Sequence, residues 1–158
     1  MSDYTLREMR AADLAAVYQI ECDVYQIDPW SKEQIASELF GVPETRYYIV
    51  VESGGEIIGY AGLFSPSSGV EADIQTVTVV KQRQNQGIGR ALLANLLEEA
   101  ARRAAPAVLL EVRVGNDSAI HLYESFGFVE IARRPNYYGR DLHALVMRKP
   151  MTESAAVQ

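Results

Sequence analysis

The sequence predicts one α/β domain, in which a mixed central sheet of six to seven strands is flanked by about four helices. Two observations predict it. Apolar and β-branched segments dominate the middle of the chain, and strand–helix–strand units follow them. The 158 residues, 48% of them hydrophobic, match the length of a single domain and supply a sizeable core. We assign the domain to residues 1–150 and interpret the small, polar segment 151–158 as a disordered tail.

The N-terminal elements are a short strand and two helices. Thr5–Arg7 is predicted as the strand, and the apolar spacing over Ala11–Val24 predicts the first helix. Ser31 begins the second helix, because its side chain can cap the helix while Gln34, three residues later, reaches back to form a capping box.

Three strands occupy the middle of the chain. The segments 46–53 and 56–64 flank Gly54 and Gly55, a spacing that predicts a β-hairpin. Glu71–Val80 is predicted as the third strand, and its apolar residues move from even positions to odd positions near Gln75–Thr76. A β-bulge there would produce this slip, and a strand buried on both faces would also explain it.

The C-terminal half alternates between helices and strands. Its predicted elements are a helix over Ile88–Arg103, a strand over 107–112, a helix over Asn116–Phe126, and closing strands over 128–134 and 144–148. On the first of these helices, Glu98–Arg102 and Glu99–Arg103 have the spacing of outward i,i+4 ion pairs.

Composition narrows the classes of function. A formal net charge of −6 argues against a non-specific nucleic-acid binder, and no apolar run is long enough to span a membrane. The first ten residues contain no apolar signal core. Cys22 is the single cysteine, which excludes an internal disulfide and favours a cytoplasmic protein. With His121 and His143 it makes no credible metal site, and His121 is expected to point away from the face that carries Tyr123.

The polar loop before the third helix is a candidate anion site. Gly87 and Gly89 allow close approach of a ligand to the main chain, and the helix N-terminus favours a pyrophosphate. Arg83 and Arg90 can add positive charge. No Gly-Lys-Ser/Thr follows, and the six polar residues Lys81–Gln86 make the connection too long for a dinucleotide turn. An ordinary strand–helix loop remains the alternative.

The segment "VTVVKQRQNQGIGRALL", with its Gln-x-x-Gly-x-Gly, resembles motif A of the GNAT acetyltransferases. "LLEVRVGNDSAIHLYESFGF" resembles a later motif of that family. "DPWSKEQ" and "RRPNYY" make the similarity greatest to the RimI-type branch, whose members acetylate the N-terminal alanine of ribosomal proteins. The resemblance extends over about residues 4–149 and implies the GNAT fold, with a bulge in the strand before the cofactor loop.

The resemblance implies that the loop binds acetyl-CoA as co-substrate, without a metal. Main-chain groups of one strand would pair with the pantetheine and acetyl group, the loop would hold the phosphates, and a helix-opening asparagine would bind the cofactor arm. The residues so implied are Val77, Thr78, Val79, Gln84, Asn85, Gln86, Gly87, Ile88, Gly89, Arg90, Asn116 and Tyr123.

Acetylation of an amine requires an unprotonated amine and a proton for the departing thiolate. Glu111 lies at the end of an apolar strand, where burial can raise its basicity, and Asn116 and Tyr123 share one helix face. The resemblance implies that Glu111 is the base and Tyr123 the acid. The alternatives are that Glu111 is ion-paired, with Arg113 as a ready partner, and that Tyr123 is a core or rim residue.

The expected reaction is direct transfer, in a ternary complex, to a protein α-amine, with a ribosomal protein as the implied partner. A lysine or small-molecule acetyltransferase is the alternative, and a non-catalytic acetyl-CoA-binding module is a hypothesis of another class. We expect a monomer or weak dimer that binds neither nucleic acid nor membrane. The candidate acceptor-binding residues are Trp30, Glu71, Tyr137 and Tyr138, although the Asn136–Arg140 segment can equally be a turn with exposed tyrosines.

Overall fold

A computed structural model describes residues 3–151. The strands are β1 (Thr5–Glu8), β2 (Arg46–Ser53), β3 (Glu56–Phe64), β4 (Ala72–Val79), β5 (Ala107–Arg113), β6 (Val129–Gly139) and β7 (Leu142–Pro150). The helices are α1 (Leu14–Val24), α2 (Lys32–Leu39), α3 (Ile88–Arg102) and α4 (Asp117–Ser125), with 3₁₀ turns at Ala11–Asp13 and Lys81–Arg83. The predicted mixed sheet flanked by helices is confirmed.

The seven strands form one sheet in the order β1-β2-β3-β4-β5-β7-β6. The pair β4–β5 is parallel and the other neighbouring pairs are antiparallel. Successive residues of β2 pack on opposite faces of the sheet. Ile49 and Val51 join a core with α3 and α4, and Tyr48 and Val50 join a second core with α1 and α2. Helices therefore cover both faces of the sheet.

Local signals in the sequence are confirmed where a few neighbouring residues decide the structure. Ser31 and Gln34 form the predicted capping box, with the Gln34 N–H donating to Ser31 Oγ at 3.1 Å and the Ser31 N–H to Gln34 Oε1 at 2.7 Å. In the β3–β4 pairing, Gly62 lies opposite Thr76 and Leu63 opposite Ile74. Gln75 is thus the extra residue of a β-bulge, at the predicted position.

The bounds of three predicted elements and one predicted ion pair differ from the structure. The first helix is preceded by a 3₁₀ turn, and β6 and β7 extend further than predicted, as one hairpin that closes at Gly139 and Leu142. The predicted Glu98–Arg102 pair is wrong. Arg102 binds Glu99 at 2.8 Å, and Glu99 also binds Arg103 at 2.8 Å, because residues three and four positions along a helix are both within reach of one carboxylate.

The C-terminal end of the described chain is attached to the domain. The Met151 N–H donates to the Pro106 carbonyl at 2.8 Å, and the Met151 side chain packs on the core that contains α3. Met151 is therefore ordered although we had placed it in the tail, and the rest of the predicted tail lies outside the described residues. Within residues 3–151, no helix has the length and apolar character needed to cross a membrane.

Candidate active site

The sheet opens between β4 and β5. These strands pair only at Ala72–Val108 and Asp73–Leu109, near the start of each strand. Two cavities with shared walls lie beside the diverging strands. The first, the loop cavity, has a volume of about 460 Å³ and is bordered by the 84–90 loop. The second, the strand cavity, has about 390 Å³ and is bordered by Gln75, Thr76 and the end of β5. Their shared lining residues are Val24, Tyr25, Val77, Asn116, Ala119 and Tyr123.

The loop cavity ends at the N-terminus of α3. Gly87 is the N-cap residue with a φ of 86°, and Asn85 also has a positive φ, of 62°. A Cβ added to Gly87 would meet no described protein atom within 4 Å, so the space beside its main chain is open. The first-turn N–H groups of a helix have no intrahelical acceptor, which makes this end of the cavity favourable for an anion.

Most residues predicted to bind the cofactor line the loop cavity. These are Val77, Thr78, Val79, Gln84, Asn85, Gly87, Gly89, Arg90, Asn116 and Tyr123. Two others do not. Ile88 is 1% exposed within the core, and Gln86 binds Arg83 and the Gln82 carbonyl. The Ile88 side chain is thus unavailable to a ligand, and the Gln86 side chain is engaged within the loop.

The two arginines near the loop differ in position. Arg90 lines the loop cavity, donates to Ser125 Oγ at 3.0 Å and lies over the Phe126 ring. Arg83 instead forms an ion pair with Asp3 at 2.8 Å. We expected both arginines to add positive charge to the site. Only Arg90 lies where it can do so.

Asn116 joins the loop cavity to the strand cavity. It is the N-cap of α4, and its Oδ1 accepts from the Ala119 N–H at 3.4 Å. The side-chain oxygen is thus used by the helix, whereas the amide NH₂ can donate to a ligand. His121 also lines the loop cavity, although its side chain is exposed where that of Tyr123 is buried. The cavity wraps around the first two turns of α4 and contacts more than one of its faces.

Glu111 lies on β5 and lines the strand cavity. Its carboxylate accepts a hydrogen bond from the guanidinium of Arg134, on β6, and not from Arg113. The Glu111 side chain is 27% exposed and that of Arg134 is 54% exposed. Glu111 is therefore ion-paired and solvent-accessible, and it is not the enclosed carboxylate that burial in an apolar strand would produce.

Tyr123, on α4, is 8% exposed and packs edge-on against Phe128 with 5.8 Å between ring centroids. Burial raises the pKa of Tyr123 above its usual value, and the nearby Tyr25 and Tyr138 act in the same direction. Among the described residues, no side chain hydrogen-bonds its hydroxyl. Tyr123 thus holds its proton at the wall common to both cavities.

A chain of hydroxyl groups that the sequence did not predict crosses the same wall. Tyr25 binds Thr78 Oγ1 at 2.8 Å, and Thr78 binds Thr76 Oγ1 at 2.7 Å. Burial is the main cause that raises the pKa of Tyr25. Tyr25 follows α1 directly, so its place in the cavity depends on the packing of α1 against β4.

Glu21 is a second carboxylate in the strand cavity. It is 4% exposed on the face of α1 that also buries Val17 and Ile20. One of its oxygens accepts from the Tyr60 hydroxyl, and the other accepts from the Trp30 N–H at 3.0 Å. A charged residue within an apolar helix face is a signal that could have identified it from sequence.

The predicted acceptor-binding residues separate into two groups. Trp30 and Tyr138 line the strand cavity. Tyr137 is 43% exposed outside its lining, where its ring contacts Tyr138 and Arg134. Glu71 lies outside both cavities and pairs with Arg148 at 3.0 Å, so the structure does not bring it to the site. Its sequence neighbours are in β4, but the β4 residues that line the cavities begin at the bulge residue Gln75.

The loop cavity fits a long anionic thioester. It combines an open helix N-terminus, the cationic Arg90 and a strand edge over Val77–Val79 that β5 does not cover. Gln84 Nε2 donates to the Val79 carbonyl at 3.0 Å and so fixes the loop to that strand. Within residues 3–151 no group of three His, Cys, Asp or Glu side chains is placed to hold a metal.

Comparisons with known proteins agree with this geometry. The model of the acetyltransferase (GNAT) family matches residues 8–128. The chain is 34% identical over 152 residues to the [ribosomal protein bS18]-alanine N-acetyltransferase of Escherichia coli K12, covering 94% of this chain and 98% of that one.

Two solved structures are also similar. The crystal structure of the ribosomal-protein-S18-alanine N-acetyltransferase from Escherichia coli has a TM-score of 0.85 at 33% identity and 98% coverage of each chain. Ard1 from Thermoplasma volcanium has a TM-score of 0.87 at 30% identity, covering 96% of this chain and all of that one. The chain therefore belongs to the GNAT family of acetyl-CoA-dependent N-acetyltransferases.

Proposed function

We propose that the protein transfers the acetyl group of acetyl-CoA to the N-terminal α-amine of a protein, with an alanine-starting ribosomal protein as its substrate. The observation that carries the proposal is that Glu111 and Tyr123 both line the strand cavity, while Tyr123 also lines the loop cavity bordered by the 84–90 loop. The names of the relatives, among them the bS18-alanine N-acetyltransferase of Escherichia coli, support the acceptor.

In this proposal the residues of the loop cavity bind the cofactor, and Glu111 and Tyr123 transfer the protons. Bound acetyl-CoA supplies an acetyl group activated as a thioester. The N-terminus of α3, with Arg90, would hold its phosphates, and Asn116 would donate to its arm. In this proposal Glu111 takes the proton of the acceptor amine, directly or through a water. Tyr123 gives its hydroxyl proton to the departing sulfur. The acetyl group passes from sulfur to nitrogen without an intermediate bound to the protein.

The type of base favours an α-amine. An α-amino group has a pKa of about 7.7–8.0 and a lysine about 10.4, so neutralising lysine at neutral pH costs roughly 3–4 kcal/mol more. Glu111 is ion-paired with Arg134 and open to solvent. The acceptor that is already partly neutral at pH 7 therefore fits the site better.

The test is a peptide library in which every peptide carries one lysine and a varied first residue. After incubation with enzyme and acetyl-CoA, mass spectrometry should locate the acetyl group on the N-terminus, with alanine-starting peptides modified fastest. Acetylation on lysine would overturn the choice of acceptor. Binding of acetyl-CoA with no transfer to any peptide or amine would favour a non-catalytic module.

We further propose that the protein acts in the cytoplasm, as a monomer or weak dimer.

A further inference from the structure

The strand cavity contains two carboxylates with different electrostatic surroundings. The charge of Glu111 is met by Arg134. Glu21 is 4% exposed, and no cation within the part of the chain that is described lies within ion-pair distance of it. A buried carboxylate without a counter-charge is destabilising unless hydrogen bonds or a ligand compensate it.

The protein supplies part of that compensation. The Tyr60 hydroxyl donates to one oxygen of Glu21, and the Trp30 N–H donates to the other. A carboxylate has about four acceptor positions, so two of them remain for other donors. Because Glu21 also lines the strand cavity, a ligand in this cavity can reach them.

We propose that Glu21 binds the protonated α-amino group of the acceptor in the strand cavity, before that group gives its proton to Glu111. This inference rests on the proposed function, because it assumes an amine acceptor there. An ammonium group provides the missing positive charge and up to three N–H donors. Tyr60 and Trp30 hold the carboxylate from β3 and from the segment before α2, so its position is fixed before the acceptor arrives.

The assignment also gives a reason for product release. Acetylation converts a charged ammonium into a neutral amide. The amide keeps one N–H and loses the charge, so its contact with a buried carboxylate is weaker than that of the substrate. Glu21 would therefore discriminate between the acceptor before and after transfer.

The experiment measures peptide binding to the CoA-loaded protein by calorimetry. One ligand is an alanine-starting peptide, and the other carries a propionyl group in place of alanyl and so lacks only the amino group. Glu21→Gln keeps the shape of the side chain and an oxygen for the Trp30 N–H. We expect Glu21→Gln to weaken the binding of the alanyl peptide by about 10- to 100-fold, which is the range for a hydrogen bond to a charged group. The propionyl peptide should change less than about twofold.

A purely structural role for Glu21 gives a different result. If the substitution only disturbed the Trp30 segment, both peptides would bind more weakly by the same factor. That outcome overturns the inference, and so does an unchanged affinity for the alanyl peptide. Glu98→Gln, an exposed carboxylate on α3, is the charge-matched control and should leave both affinities unchanged. If Glu21→Gln does not fold, Glu21→Asp carries the same comparison, because it keeps the charge and withdraws it by one methylene.

The wild-type protein separates the two proposals. If it acetylates alanine-starting peptides and the Glu21 variants lose no selectivity for the amino group, only this inference fails. If it neither binds nor acetylates them, the proposed function fails and this inference fails with it.

Discussion

The carboxylate of Glu111 on β5 is bound by the guanidinium of Arg134 on β6, across a sheet in which β7 lies between these two strands. The Arg134 guanidinium also lies 4.2 Å from the centre of the Tyr137 ring. The ion pair thus ties a lining residue of the strand cavity to the β6–β7 hairpin. In the proposed reaction, Glu111 would have to share or exchange this partner to accept a proton.

Glu111→Gln keeps the shape of the side chain and removes its basicity. We expect kcat with an alanine-starting peptide to fall by about 10²–10⁴-fold if Glu111 takes the amine proton. The deficit should shrink as the pH rises through about 8, because the free α-amine then no longer needs a base. Measurement of kcat against pH for both proteins tests this, and a few-fold loss that is independent of pH would contradict it.

Arg134→Gln removes the ion pair and keeps Glu111. Because Arg134 is more than half exposed, we expect the loss of activity to be below about tenfold. The two single variants and their double variant then form a cycle. If the two single variants and the double variant are equally impaired, Glu111 serves only the ion pair. If the Glu111 variant is far slower, Glu111 has a role in the chemistry.

Tyr123→Phe keeps the ring that packs against Phe128 and removes the proton donor. We expect a folded protein that binds acetyl-CoA and has kcat reduced at least about 10²-fold. The raised pKa of Tyr123 keeps its hydroxyl protonated throughout the neutral range, as a donor requires. The measurements are kcat, a melting curve and an acetyl-CoA titration, and turnover within about threefold of wild type would remove Tyr123 from the chemistry.

Gly87→Val should weaken acetyl-CoA binding, because its side chain would occupy the open space beside the loop main chain. Gly89→Val should act in the same direction, although a Cβ there also lies 3.4 Å from Leu122. Gly55→Val is the matched control, since Gly55 has a similar φ of 83° and equally open surroundings in the β2–β3 turn. Calorimetry should show a loss of affinity for the Gly87 variant and none for the Gly55 variant; equal affinities would place the pyrophosphate elsewhere.

The protein should lose stability at alkaline pH. Burial raises the pKa of Tyr48, Tyr60 and Tyr123 above the usual value. Above about pH 10 the unfolded chain therefore releases protons that the folded protein retains, so stability is fully present below that pH and falls above it. The expected slope is about 1.4 kcal/mol per pH unit for each such tyrosine.

Urea unfolding at about pH 8, 10 and 11 measures this slope. Tyr123→Phe is the internal control, because it should remove the contribution of one tyrosine to the pH slope of the free energy of unfolding. A free energy of unfolding that does not change above about pH 10 would show that these hydroxyls titrate equally in both states.

The sequence by itself determined the features that a few neighbouring residues decide. Ser31 and Gln34 form their capping box because both partners lie within one helical turn. The change in apolar alternation located the bulge at Gln75, since one extra residue reverses the faces of a strand. Gly87 indicated the open N-terminus of α3, because glycine readily adopts the positive φ found there. The helical spacing of Asn116 and Tyr123 placed both residues in one cavity.

Only the tertiary structure decided which distant side chains meet. Arg113 was the expected partner of Glu111 by proximity in sequence, but β7 inserts between β5 and β6 and the hairpin brings Arg134 to the carboxylate. Glu71 and Arg83 form ion pairs outside the cavities. Their partners, Arg148 and Asp3, lie 77 and 80 residues away in the sequence. Glu21 became part of the site because α1 packs across β3 and β4. Such contacts depend on strand order and helix packing, which local sequence patterns do not encode.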